Sequence, residues 1–331
     1  MPNAYIAGTG FYVPPKIVTN DELSKYMNTT DEWIRERTGI RERRYVEKGV
    51  GPSDLAIPAT EQALEVSGLS VQDIDFMIFA TSTPDFYIPG SGCLLQEKMG
   101  FNEIGALDIR VQCSGFLYGL SIAEQYIKTG MYKNILLVGS EVQSTAMDIS
   151  DKGRDTSVIF GDGAGAAIIC PTKEDIGILS THMHTEGKHL KELWVEAPAS
   201  RAGYPRILPE HLDEGKQYLK MNGREVFRHA VKRFDEVIRE GLKANNLDIK
   251  DIDMLIPHQA NLRITQMIQK KLNLNNDQVF SNIHKYGNTT AASIPIALAE
   301  AVNEGKVTKG DLVVFASFGS GFTWASAFMK W

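Results

Sequence analysis

Three residues far apart in the chain, Cys113, His258 and Asn288, have side chains of the kinds used in nucleophilic chemistry. Cys113 stands at the centre of Asp108–Leu120, DIRVQCSGFLYGL. Ala106 to Val111 reads as a buried strand, and Ser114-Gly115 opens an apolar helix through Ile122 and Tyr126. A cysteine at such a turn sets its sulfur against the unpaired N–H groups of the first helical turn. The positive end of the helix dipole then favours thiolate over thiol. Thiolate is the nucleophilic form, so an acyl group could be carried here as a covalent thioester. The competing reading is a small core hydrophobe, the common fate of a free cysteine. His258, in Ile256–Asn261 (IPHQAN), follows a strand expected at Asp251–Ile256. It therefore sits at a strand's carboxyl end, where α/β sheets place ligand sites. A histidine there can tune a thiol and polarise a carbonyl. Asn288, in Tyr286–Ser293 (YGNTTAAS), offers N–H2 donors that never titrate and suit a developing oxyanion. Cys/His/Asn also serves papain-like proteolysis, so the three residues alone leave the reaction open.

Elements that bring such distant residues together are visible as a repeat. Leu69–Ile78 (LSVQDIDFMI) matches Leu247–Ile256 (LDIKDIDMLI) at an offset of 178 (247 − 69). Gly130–Leu137 matches Gly305–Leu312 at 175 (305 − 130). Each copy reads helix, strand, loop, helix, strand, helix, strand, which implies βαβ units and helix-covered sheets sharing central helices. The expected units are 1–172, carrying the cysteine, and 173–331, carrying the histidine and asparagine. Applying the second offset to Cys113 selects Asn288 (113 + 175), so both would open paired helices facing one pocket. Pro52 to Ser67 and Val226 to Leu242 read as amphipathic helices. Val158–Cys170 (VIFGDGAGAAIIC) reads as a strand, glycine turn and strand. Its GDGAG lacks the Lys-Ser/Thr of a phosphate loop, so tight backbone packing is the reading. Residues 183–220, polar and weakly periodic, read as an excursion capping the core.

Composition narrows the function classes. The chain has 331 residues, 43% hydrophobic and 23% charged, with a formal net charge of −6, so no global basic field points to nucleic acid. Three cysteines, Cys93, Cys113 and Cys170, argue against a disulfide framework or zinc ribbon and suit a reducing cytoplasm. The first residues lack a secretory pattern, and no apolar run suggests a membrane span. His182, His184 and His189 read as surface histidines rather than a metal site. Trp33–Arg44 sets five arginines beside one indole. The default is a solvated face; the functional alternative is stacking on a nucleobase while pairing with its phosphates.

Taken together, the motifs are specific. The Cys113 stretch, Pro257–Arg263 (PHQANLR), Gly287–Pro295 (GNTTAASIP) and Phe318–Trp324 (FGSGFTW) resemble β-ketoacyl-acyl carrier protein synthase III. Trp33–Arg44 and Phe160–Gly165 (FGDGAG) are similar to the same family, in the same order along essentially the whole chain. The resemblance implies an α/β thiolase fold, two pseudo-repeats in a five-layered α-β-α-β-α arrangement, usually homodimeric. It implies decarboxylative Claisen condensation of an acyl-CoA with malonyl-acyl carrier protein, giving 3-oxoacyl-acyl carrier protein and initiating fatty acid synthesis. Acyl-CoA enters as substrate, and no metal or redox cofactor is required.

On that pattern Cys113 is the nucleophile. His258 and Asn288 donate to the malonyl thioester oxygen, and the backbone N–H groups of Cys113 and Ser320 hold the acyl oxyanion. Trp33 and Arg37 meet the CoA nucleotide with a third basic contact from Asp151–Asp155. Counting back from Phe160 selects Arg154, the preferred residue, whereas counting forward from Asp151 selects Lys152. Gly223, Ala260 and Asn261 line the pantetheine channel, and Phe86 is the candidate pocket floor. Arg228, Gln259, Arg263, Lys270 and Lys271 form a local patch for the acidic carrier protein.

Several residues depart from the commonest family pattern: Arg110-Val-Gln112, Ser320, Ala325 and the long 183–220 segment. They leave the acyl donor open. A biosynthetic thiolase would need a second cysteine after Cys170, where none occurs. A same-fold condensing or acyl-transfer enzyme of secondary metabolism is the alternative, and an unreactive Cys113 would leave only a carrier-binding module.

Overall fold

The structure, a computed structural model, describes residues 2–331. A five-stranded sheet runs Asn3–Tyr12, Gly163–Thr172, Ile135–Glu141, Phe76–Ala80, Gly105–Ile109. A four-stranded sheet runs Met254–Pro257, Leu312–Gly319, Thr323–Lys330, Gly177–Thr185. Between the sheets lie the helices Gly115–Thr129 and Ser293–Asn303, in one apolar core with residues of both sheets. Pro52–Ser67 and Ser91–Met99 cover the outer face of the first sheet. Gly223–Ala244 and Leu262–Leu272 cover that of the second. The result is the five-layered α-β-α-β-α order. Strands at the centre, such as Phe76–Ala80 and Ile135–Glu141, are buried at every position; the first reads as an unbroken apolar run and the second as one that ends in the buried Ser140 and Glu141.

The sheets are copies. Phe76–Ala80 pairs parallel with Ile135–Glu141, which pairs antiparallel with Gly163–Thr172, itself antiparallel to Asn3–Tyr12. Met254–Pro257, Leu312–Gly319, Thr323–Lys330 and Gly177–Thr185 repeat that sequence of directions. The counterpart of Gly105–Ile109 has shrunk to one parallel bridge, Leu255 to Val279.

Backbone geometry corrects the expected pairing of Cys113 with Asn288. A single 3-10 turn, Gln112–Ser114, leads into the Gly115 helix, and its first residue has φ +44°. Thr290–Ala292 does the same ahead of Ser293, with φ +50° at Thr290. Gln112 and Thr290 are 178 positions apart (290 − 112), so Cys113 corresponds to Ala291, and Asn288 lies three residues upstream of that counterpart. The offset falls to 175 only at the far end of these helices, because Gly130 stands 15 residues after Gly115 but Gly305 only 12 after Ser293.

Three further expectations change. Gly105–Ile109 is an edge strand, paired on one side and largely exposed. Val158–Cys170 is no hairpin: Gly163 and Gly165 lie within one strand, where Cβ atoms would meet Ile296 and Pro295 of the central helix at 2.9 and 2.7 Å. Residues 183–185 belong to the Gly177–Thr185 strand, so the excursion starts at Glu186. It packs over the second half and reaches the first, where the Leu219 N–H donates to the Ala146 carbonyl at 3.1 Å.

Candidate active site

The Cys113 elbow is held by close backbone approach. A Cβ on Gly319, at the end of the Leu312–Gly319 strand, would stand 2.6 Å from Cys113 Cβ and 2.9 Å from Sγ. Glycine alone lets that strand end touch Cys113. The N–H groups of Cys113 and Ser320 point at the sulfur. Ser320 is anchored by its hydroxyl, which donates to the Leu193 carbonyl of the excursion.

The thiol departs from the thiolate expectation. Burial, followed by the nearby Glu141 carboxylate, pushes Cys113 up to about 12. Glu141 is itself completely buried and pushed up to about 7 by desolvation. Its carboxylate accepts from Thr83 Oγ1 at 2.7 Å, Ser82 Oγ at 2.9 Å, Gln143 Nε2 at 3.2 Å and the Ala291 N–H. The helix N-terminus does not offset loss of water at the sulfur, so thiol is the resting form.

His258 directly follows the Met254–Pro257 strand and is 2% exposed. Its Nδ1 lies 2.5 Å from Ser293 Oγ, and burial lowers its pKa to about 3, which keeps the imidazole neutral. Asn288 is also buried. Its Oδ1 accepts the Thr290 N–H at 2.8 Å, which commits the oxygen and leaves the N–H2 end free to donate. Its backbone is clamped to the 159–161 segment, donating to Ile159 at 2.9 Å and accepting from Gly161 at 3.1 Å.

Cys113, His258 and Asn288 line one cavity of about 490 Å³ together with Trp33, Arg37, Gly223, Ala260, Asn261 and Arg263. The apolar walls include Leu193, Met221, Val226 and Phe318. Trp33 lies in the helix Asp31–Thr38, capped by Thr30 Oγ1, which accepts the Trp33 N–H at 3.1 Å. The guanidinium carbons of Arg37 and Arg154 stand 4.4 and 4.5 Å from the Trp33 ring centroid. Asn261 joins this wall to the channel by donating to the Arg37 carbonyl at 3.0 Å. Lys152 is exposed.

Other expected residues fall elsewhere. Phe86 is 59% exposed on the loop after Phe76–Ala80 and does not line the cavity, so it is no pocket floor within this chain. Gln259 is 1% exposed and cannot meet a carrier protein. It donates to Pro257 O at 2.7 Å and accepts from Ser281 Oγ at 2.8 Å, a clamp behind His258. Arg228, Arg263, Lys270 and Lys271 are exposed on the two outer helices, with Arg228 paired to Glu225 at 2.5 Å. Arg43 is no part of a solvated face: it is fully buried, donating to the Val18 and Val158 carbonyls at 3.2 and 2.8 Å.

The histidines expected at the surface are engaged instead. His184 stacks on Trp324, with ring centroids 5.3 Å apart, and His189 stacks on Phe322 at 5.1 Å. Glu186, His189 and His229 bring donor atoms within 4.8 Å of one another. Arg233 already holds Glu186 at 2.6 Å and Arg228 lies 2.9 Å from His229 Nε2, so cations occupy the places a metal would need. Sequence reasoning missed Ser293 and Glu141. The serine stands in the same GNTTAAS motif as Asn288, and the glutamate is the one acid ending an apolar run, ILLVGSE.

Family models described as 3-oxoacyl-[acyl-carrier-protein (ACP)] synthase III and its C-terminal region match residues 107–187 and 242–331. The chain is 45% identical to the β-ketoacyl-[acyl-carrier-protein] synthase III of Caldanaerobacter subterraneus subsp. tengcongensis, over 99% of this chain and 98% of the relative. It is 45% identical to that of Xanthomonas campestris pv. campestris over 98% of each. The crystal structure of 3-oxoacyl-[acyl-carrier-protein] synthase III from Aquifex aeolicus superposes with a TM-score of 0.90 at 41% identity, covering 99% of this chain and all of the other. With the five layers, the elbow cysteine and whole-length identity in agreement, the chain belongs to the β-ketoacyl-acyl carrier protein synthase III family, on the thiolase fold.

Proposed function

We propose that the cavity is where this family's reaction takes place: acyl transfer from acyl-CoA to Cys113, then decarboxylative condensation with malonyl-acyl carrier protein to begin fatty acid synthesis. The carrying observation is the convergence of Cys113, His258 and Asn288 on one cavity with an indole and two guanidiniums at its mouth. Trp33, Arg37 and Arg154 offer an aromatic face and positive charge to a nucleotide with phosphates, and Gly223, Ala260 and Asn261 flank the route inward. The sulfur gives up its proton as it attacks the acyl thioester carbon, the N–H groups of Cys113 and Ser320 receive the oxyanion, the C–S bond to CoA breaks, and the proton leaves with CoA as its free thiol. In the second stage the malonyl C–C bond breaks. CO2 departs and its electron pair enters an enolate whose oxygen is met by the His258 and Asn288 N–H donors. The enolate carbon attacks the acyl-enzyme, the C–S bond breaks, and the cysteine leaves as thiolate and takes a proton from solvent to return to its resting thiol. Each positioned donor is worth about 3 kcal/mol in such sites. Hydrogen bonds carry the charge throughout, so the reading calls for no metal or redox centre.

Arg228, Arg263, Lys270 and Lys271 suit an acidic carrier protein. The open edge Gly105–Ile109 and the exposed Phe86, Tyr87 and Ile88 support a homodimer, and three free cysteines support a cytoplasmic location. No helix among the described residues is long and apolar enough to cross a membrane. The sheets divide the chain near 172/173, which supports two halves, 1–172 with the nucleophile and 173–331 with the two donors.

Intact-mass measurement against a panel of acyl-CoAs tests the first stage. One acyl adduct per subunit is expected, absent in Cys113→Ala. An adduct that survives the substitution refutes the assignment.

A further inference from the structure

The imidazole can donate to a substrate oxygen only if the nitrogen facing the cavity carries its proton. His258 has two ring nitrogens and, being neutral, one proton. Its Nδ1 meets Ser293 Oγ at 2.5 Å, in a pair closed to water: Ser293 is 1% exposed. The serine oxygen also receives the Gln259 backbone N–H at 3.4 Å, and an amide nitrogen there can only donate. The buried hydroxyl proton therefore needs an acceptor, and of the two hydrogen-bond partners of Oγ only Nδ1 can accept, so the hydroxyl donates to Nδ1. Nδ1 then carries no proton and Nε2–H remains for the cavity.

We infer that Ser293 is a positioning residue that sets the His258 tautomer, keeping Nε2–H as the donor that decarboxylation needs. The inference rests on the condensing role proposed above and adds a residue to it. Ser293 opens the second central helix and corresponds to Gly115 of the first (293 − 115 = 178). The two elbows thus differ in task. The first presents the nucleophile; the second orients both donors, Asn288 through the Thr290 N–H and His258 through the Ser293 hydroxyl.

The test is 15N NMR of the full-length enzyme labelled on histidine imidazoles, with His258 assigned by its loss in His258→Gln. The wild type is expected as the Nε2–H tautomer. Ser293→Ala should shift His258 toward Nδ1–H and lower the ratio of malonyl decarboxylation to Cys113 acylation about tenfold or more, as loss of one positioned donor does. Ser293→Cys, a weaker donor of similar size, gives the same reading if the alanine variant does not fold. A His258 spectrum unchanged by loss of the hydroxyl overturns the inference. A tautomer that moves while decarboxylation holds leaves the Ser293 assignment standing and refutes the donor role of His258.

Discussion

Cys113 rests as a thiol because its sulfur has exchanged water for a few N–H donors and faces a buried carboxylate. That makes its reactivity a sensitive function of pH. With the thiol pushed up to about 12, alkylation by iodoacetamide in the absence of substrate should rise about tenfold per pH unit from 6 to 10 without a plateau. Glu141 opposes the thiolate only when ionised, which happens above about 7. Glu141→Gln should therefore alkylate several-fold faster than the wild type above that pH and converge with it below. A plateau near 8 in the wild type, or rates unaffected by Glu141→Gln at pH 9, contradicts this electrostatic picture. Acylation in such a site gains from a substrate that arrives with its own groups to stabilise the departing charge.

At the scale of elements, the site depends on a strand end touching an elbow. Gly319→Ala places a methyl carbon inside the contact distance of Cys113 Cβ and Sγ. Either the elbow or the strand end must move, and overpacking of this kind costs about 1–3 kcal/mol. Acylation should fall about 100-fold, more than the melting temperature alone would explain, because the Ser320 N–H shifts with the strand end. Stopped-flow release of CoA alongside thermal melting checks this; loss of stability with acylation intact would place the donors elsewhere. The strand–elbow–helix unit is legible in the sequence because apolar runs and a small-residue turn are local signals. The position of His258 is legible for the same reason. The counterpart of Cys113 is not: two offsets compete, and only φ at Gln112 and Thr290 shows that the shortening lies within the helix. Burial of Arg43 and Gln259 is likewise invisible to composition, since partners from distant segments make it tolerable: the Val18 and Val158 carbonyls for Arg43 and the Ser281 hydroxyl for Gln259. Phe86 reads as a pocket residue by its apolar type, yet nothing in one chain covers it.

For the whole molecule, the exposed loop Phe86-Tyr87-Ile88 lies just ahead of the helix Ser91–Met99, which packs on the open Gly105–Ile109 edge. The proposed homodimer would bury both loop and edge. Phe86→Asp with Ile88→Asp, both solvent-facing in the single chain, should yield a folded monomer at micromolar concentration by light scattering; an unchanged dimer would locate the interface elsewhere. The halves have diverged most at this boundary. Duplication should have left two free sheet margins of the same kind, but the second has withered to the lone Val279 contact. Of these two corresponding margins, only Gly105–Ile109 still offers a full strand for main-chain pairing with a neighbour. A subunit so equipped can join its twin across a two-fold axis and then has no second such margin for another, so growth into fibres by this route stops at the pair.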